Sequence, residues 1–335
     1  MKVAVDAMGG DHSPAVVVQG AVEAAAELGI KITLVGNRKL ITEALASRSF
    51  ADSIEVCHCE EVVWMDESPF KAIRKKKESS IRVAFDLVKR GDVDAVVSAG
   101  NSGATLAAGI MTLGRVFGVE RPAIAGILPS EKGHVILIDV GANVDCRPGH
   151  LFQFGVMAHA FASSCMGIDK PGVGLLSIGE EGSKGNEQVR LARELFKRSQ
   201  LNFVGNVEGG DIFKGNVDII VCDGFVGNVT LKFGERMAES ISKLLKAELM
   251  SSFWGRLIRP FTRRSLESFR RKMDYEEYGG APLLGINGVG IVCHGESSAK
   301  AIKNAIRLAT RFANNRVLEK MITHLNAFKA DKVLG

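Results

Sequence analysis

Short apolar runs alternate along the chain with longer stretches of helical periodicity. Residues 3–6, 31–36, 53–57 and 94–98 are of strand length and rich in β-branched side chains. Helices are expected between them from about residue 14 to 28, from 38 onward, and over 79–90, with a further one over 102–117. In the 79–90 segment Ile81, Ala84, Phe85 and Val88 fall on one face. Two more strands, 123–128 and 134–139, are joined through Pro129, Glu131 and Lys132, a connection short enough for a hairpin. A helix over 151–166 follows. Strands are then expected at 173–178, 203–207 and 218–222, with a helix at 186–198 between the first two. A long helix begins near Val226, and a last strand and helix cover 288–293 and 298–312.

This alternation is the mark of βαβ units. It predicts an α/β fold: a doubly wound, mostly parallel sheet of about nine strands with helices on both faces. No internal repeat interrupts it, so residues 1–335 read as one α/β unit, in one body or two lobes. Composition narrows the class. With 46% hydrophobic residues the chain can bury a large core, and 37 glycines against 8 prolines suit tight strand-to-helix turns. Aromatic residues make up only 6%, too few for a base-stacking surface, so no nucleic acid is expected as a partner. The six cysteines (57, 59, 146, 165, 222 and 293) lack zinc-site spacing and read as small buried hydrophobes of a reducing compartment. The opening MKVAVDAMGG lacks the apolar core of a signal peptide, and no long uncharged apolar run occurs. A soluble, intracellular protein is expected.

The chemistry lies in the loops at the strand ends. Asp6–His12, residues 98–104, 139–143, 179–186, 223–228 and 294–297 are all polar and glycine-rich. In open α/β sheets ligands bind beyond the carboxyl ends of strands. Gly100 and Gly103 allow close backbone approach, and Ser102 opens a helix whose free amides favour an anion. Lys184 and Asn186 stand just before another helix, and Asn228 stands at the start of a third. Together they predict an anion cage in one cleft. Other chemistries fit less well: no dinucleotide or nucleotide-loop fingerprint is complete, no metal-site motif is present, and no Gly-x-Ser-x-Gly occurs. No metal and no cofactor are expected. His12 and His294 follow strand ends and could touch ligand, whereas His159 lies within a helical pattern and reads as structural. Asp6 and Asp139 end apolar strands, where organising a glycine loop is at least as good a reading as catalysis.

Net charge is +5, yet residues 256–272 alone hold seven basic side chains against Glu267, leaving the rest of the chain at −1. In this stretch Trp254, Leu257 and Ile258 recur at helical spacing beside Arg256, Arg259, Arg263 and Arg264. An amphipathic helical hairpin near 245–275 is expected. It suits an anionic membrane surface, an acidic partner or second subunit, or packing on the body.

The segments VDAMGGDHSP (5–14), SAGNSGA (98–104), DVGAN (139–143), Asn186-Glu187 and CDGFVGN (222–228) resemble, in order and over essentially the whole chain, the bacterial phosphate acyltransferases that make acyl phosphate for phospholipid synthesis. The resemblance implies a fold like the isocitrate/isopropylmalate dehydrogenases and phosphate acetyltransferases, and a peripherally membrane-associated homodimer. It implies acyl carrier protein and inorganic phosphate as substrates, with a membrane glycerol-3-phosphate acyltransferase taking the product. On this reading Gly100, Asn101, Ser102, Gly103 and Asn186, with Lys184 and Asn228, hold phosphate or the oxyanion. His12 is the candidate for protonating the leaving group, and Asp6, Asp139, Asn143 and Asp223 organise the loops. A short-chain acyl-coenzyme A phosphate acyltransferase, a dehydrogenase of the same fold and a membrane-held scaffold are the alternatives.

Overall fold

Neighbouring residues of the apolar strands enter two different cores. Val3 and Val5 pack on one side of the sheet and Ala4 on the other; Ile136 and Ile138 are likewise divided from Val135 and Leu137. Strand geometry sends successive side chains to opposite faces, so a strand apolar at every position needs cover on both. The structure is a computed structural model that describes residues 1–46, 53–251 and 275–330.

Eleven strands form one sheet among the described residues: β1 Lys2–Asp6, β2 Lys31–Gly36, β3 Ile54–His58, β4 Ala95–Ser98, β5 Ala123–Ser130, β6 Gly133–Ile138, β7 Val173–Leu176, β8 Phe203–Val207, β9 Ile219–Val221, β10 Ala281–Leu284 and β11 Gly290–Val292. Their spatial order is β3-β2-β1-β4-β11-β10-β5-β6-β9-β7-β8. The helices are α1 Ala15–Leu28, α2 Arg38–Leu45, α3 Pro69–Lys75, α4 Ser80–Arg90, α5 Ser102–Leu113 and α6 Pro148–Phe161. They continue with α7 Glu187–Lys197, α8 Asp211–Lys214, α9 Gly224–Ser251, α10 Ala299–Asn314 and α11 Val317–Ala330. The mixed, mostly parallel α/β sheet with helices on both faces is the expected one.

The pairings divide the sheet into two parallel blocks. Strands β1 to β4 and β11 are mutually parallel, as are β6, β7, β8 and β9. Between the blocks, β11–β10, β10–β5 and β5–β6 are each antiparallel. Three reversals leave the two blocks running in opposite directions. The loops after β1, β4 and β11 therefore leave from one edge, and those after β6, β7 and β9 from the other.

Several boundaries differ from the sequence reading. Helix α5 stops at Leu113 because Gly114 (φ +78°) ends it, short of residue 117. Helix α6 starts at Pro148 and passes into a π-helical turn over Ala162–Met166. Strand β10 escapes prediction because it follows Gly279-Gly280 and contains Pro282, which weakens any strand pattern. Of the segment expected as an amphipathic hairpin, α9 extends as far as Ser251. Trp254, Arg256, Leu257, Ile258, Arg259, Arg263 and Arg264 lie outside the described residues. No helix among the described residues is long and apolar enough to cross a membrane.

His159 occupies a structural place, as its helical position suggested. Its ring on α6 lies 5.2 Å from that of His324 on α11, and its Nδ1 is buried without a hydrogen-bond partner. Burial, with His324 adding to it, pushes the His159 imidazole down to about 4 from 6.5. The unfolded chain then binds a proton that the folded chain refuses. Stability is full above about pH 6.5 and declines as pH falls toward 4, by about 1–3 kcal/mol. Melting temperature against pH should fall across this window in the parent protein and fall less in His159→Gln. An equal fall in both would remove His159 as the cause.

Candidate active site

Two buried carboxylates hold the strand-end loops in shape. Asp6, at the end of β1, accepts from Ser98 Oγ at 2.7 Å and from the Met8 amide at 3.2 Å. Ser98 Oγ in turn accepts from the Gly100 amide at 3.1 Å, which ties the β1 loop to the β4 loop. A side chain at Gly9 would strike the Gly100 nitrogen at 2.6 Å, so these loops approach too closely for anything but glycine. Asp139, after β6, accepts from the amides of Ile124 (3.0 Å), Ala142 (3.1 Å) and Asn143 (2.6 Å) and from Asn143 Nδ2 (3.0 Å). Burial raises both carboxyls above their ordinary range, and these hydrogen bonds oppose the rise. Both aspartates are satisfied within the protein, in keeping with loop-organising roles.

The helix starts differ in what they leave free. Asn101 caps α5 by accepting from the Ala104 amide at 3.0 Å, and its Nδ2 donates to the Met65 and Glu67 carbonyls. The amides of Ser102 and Gly103 make no hydrogen bond among the described residues and remain available to an anion. Asn186 caps α7 by accepting from the Val189 amide at 2.9 Å. Asp223 Oδ1 accepts from the Phe225 and Val226 amides, so a carboxylate already occupies the first turn of α9. Asn228 lies one turn further along, exposed and next to Gly141. Gly227 lets α9 come against the Asp139 carbonyl, which any Cβ there would overlap.

A cleft of about 290 Å3 joins the two sets of loops. Ser102 and His294 line it from one block, and Gly141 and Asn228 from the other. Its apolar wall includes Ile124, Ile127, Val140, Leu231, Ala281 and Val292. Lys232, Glu235 and Glu276 also line it, and sequence reading did not single them out. Lys232 and Glu235 continue the face of α9 that carries Asn228, at spacings of four and three residues, which is the signal that could have found them. Lys232 Nζ lies 3.4 Å from His294 Nε2, and Arg236 reaches Glu296 at 3.5 Å, so α9 bridges to the loop after β11. Burial raises the Glu235 carboxyl, against the pull of Lys232, His294 and Arg236.

Not every predicted residue reaches this wall. Gly100, Asn101 and Gly103 stand behind Ser102 in the same loop, while exposed His12, Lys184 and Asn186 occupy neighbouring loops outside the lining. The physical reason is strand order: β1 and β7, which carry these outer loops, stand further from the sheet centre than β4, β11, β6 and β9, whose following residues line the cleft. A larger cavity of about 460 Å3 beside β3 is lined by residues such as Lys2, Arg38 and Glu55 and by none of the glycine loops. Among the described residues no group of three or more His, Cys, Asp or Glu side chains is placed to hold a metal ion. The buried thiols of Cys59 and Cys293 are pushed up to about 12 by burial, which keeps them poor nucleophiles.

Over residues 1–320 the chain matches the family described as "Fatty acid synthesis protein". It is 54% identical over 326 residues to the phosphate acyltransferase of Geobacter sp. (strain M21), covering 96% of this chain and 93% of that protein. It is 52% identical over 333 residues to the phosphate acyltransferase of Geobacter sulfurreducens, covering 98% and 96%. Among solved structures, a phosphotransacetylase from Streptococcus pyogenes superposes with a TM-score of 0.63 at 19% identity, over 94% of both chains. A 4-hydroxythreonine-4-phosphate dehydrogenase from Klebsiella pneumoniae superposes with a TM-score of 0.53 at 16% identity, over 93% of this chain and 99% of that one. At these identities the likeness is one of fold.

Proposed function

We propose, from the premise that this chain belongs to the fatty acid synthesis protein family and is an acyltransferase, that it moves a long-chain acyl group from acyl carrier protein to inorganic phosphate. The observation that carries this reading is the cleft itself, where an anion-ready helix start and an amide side chain face an apolar wall. A phosphate oxygen attacks the thioester carbonyl carbon and the C–S bond breaks, giving acyl phosphate and a thiolate that takes up a proton. Phosphate is already a nucleophile toward a thioester, so positioning and oxyanion stabilisation are the work left to the protein. Ser102, Gly103 and Asn228 are assigned to phosphate or the oxyanion, with Lys184 reaching in from its exposed loop. His294, at the cleft wall, joins His12 as a candidate to protonate the departing thiolate.

The outer face of α9 supports assembly into a homodimer. Val229, Phe233, Met237, Ile241 and Leu244 are all exposed and recur every three or four residues, a stripe that a second copy would cover. The basic segment that follows α9 in sequence would hold the enzyme at an anionic membrane surface. Acyl phosphate would there pass to a membrane glycerol-3-phosphate acyltransferase.

The test is acyl phosphate formation from long-chain acyl carrier protein with and without inorganic phosphate, trapping the product as a hydroxamate. Product that appears only with phosphate is expected. No product from a folded enzyme and a fully acylated carrier would overturn the proposed donor, and the same assay with acyl-coenzyme A would then decide the short-chain alternative.

A further inference from the structure

Helix α3 presents an unusual face beside the cleft. Its inner residues Ala72 and Ile73 are 5% and 0% exposed and pack it against α5, the helix that Ser102 opens. Its outer face exposes Lys71, Arg74 and Lys75, with Lys77 just beyond. These four cations make no ion pair among the described residues, whereas Lys76 is engaged by Glu67 and the Val62 carbonyl. Beside them stand Trp64, Met65 and Phe70, exposed at 63%, 49% and 52%. The exposed acids of this stretch, Glu60, Glu61, Asp66 and Glu78, lie before and after α3 in sequence, and none stands within the helix.

The patch is mechanically tied to the candidate site. Asn101 Nδ2 donates to the carbonyls of Met65 (2.9 Å) and Glu67 (3.3 Å), so the Trp64 loop is anchored to the loop that ends in Ser102. A Cβ at Gly103 would come within 2.7 Å of Pro69 Cγ, so the first turn of α3 lies directly on the start of α5. The Met65 methyl borders Gly295, in the loop that carries His294. Whatever sits on this patch lies next to the Ser102 and His294 side of the cleft.

We propose that α3 and the Trp64 loop form the docking surface for an acidic protein helix that delivers the thioester. The inference rests on the proposed acyl transfer and adds where the donor sits. Charge complementarity supplies encounter rate and orientation, while Trp64 and Phe70 supply the apolar contact that a charged rim alone lacks. A protein fits better than a bilayer here: the apolar group is small, and its anchoring to Asn101 aims a bound arm at Ser102.

The test uses the full-length enzyme with Lys71, Arg74 and Lys75 all replaced by Glu, and separately Trp64→Ala. Binding of holo-acyl carrier protein is measured by calorimetry at low and high salt. Turnover is measured with acyl carrier protein and with a small acyl-pantetheine thioester, and binding to anionic phosphatidylglycerol vesicles is measured alongside. The charge-reversed variant should bind carrier at least about 10-fold more weakly and lose the salt dependence. Its KM for acyl carrier should rise while KM for phosphate and turnover of the small thioester stay at parent values. Unchanged carrier affinity would overturn the surface, as would equal losses with both thioesters or a loss of vesicle binding alone. Carrier binding by the parent enzyme without acyl phosphate formation would instead overturn the proposed reaction and leave the docking surface standing.

Discussion

Asn228→Ala is expected to lower phosphate-dependent acyl transfer about 100–1000-fold, the usual cost of deleting one donor that faces a developing oxyanion. The first turn of α9 cannot stand in for it, because Asp223 already takes the Phe225 and Val226 amides. The Asn228 amide is thus the donor that α9 offers to the cleft next to Gly141. The side chain is exposed, so melting temperature should stay near that of the parent. Asn228→Asp should be at least as impaired, since it keeps the shape but replaces a donor with a negative charge facing phosphate. Steady-state kinetics against phosphate concentration, with a thermal melt of each variant, would check this. Parental turnover in Asn228→Ala would remove α9 from the chemistry and turn attention to Lys184.

Asp139→Ala is expected to cost about 3–5 kcal/mol, because it strips the acceptor from several buried donors at once. Asp139 is 0% exposed and binds three backbone amides together with Asn143 Nδ2. It also links elements far apart in sequence: the start of β5 through Ile124, and the 142–143 loop on which α9 closes. The Gly224 amide donates to the Asn143 carbonyl at 2.7 Å, so collapse of this loop would release the first turn of α9 and displace Asn228. Activity should therefore fall together with the urea midpoint. Asp139→Asn should be milder, since it keeps one acceptor oxygen. A loss below about 1 kcal/mol in Asp139→Ala would mean that water replaces the carboxylate and that the loop is held by other contacts.

Much of this architecture was legible because it is local. The near-continuous apolar runs in residues 3–6, 94–98 and 134–139 are those of strands covered on both faces, and these became β1, β4 and β6. The glycine loops were legible for the same reason: a strand end, a glycine and a polar helix start are neighbours in sequence. The positions of Asp6 and Asp139 at strand ends left organising a glycine loop and a part in the chemistry both open, and only the structure shows the amides and hydroxyl that they accept from. Strand β10 was not, because four residues containing a proline have no distinctive period. Its place is set by Leu283 pairing with Ile124 across a long stretch of chain. Lys232 and Glu235 were missed because a helix face reveals its target only once the helix is docked.

The sequence by itself determined the class of fold, the glycine-rich polar loops at the strand ends and the family to which the chain belongs, all of which depend on residues close together in the chain. Only the tertiary structure decided which loops share a cleft. Three antiparallel pairings at the sheet centre turn one block of strands against the other, and strand direction is a property of long-range pairing that no local pattern encodes. That reversal puts Ser102 and Asn228 on facing walls and leaves Lys184 and His12 on the loops around them.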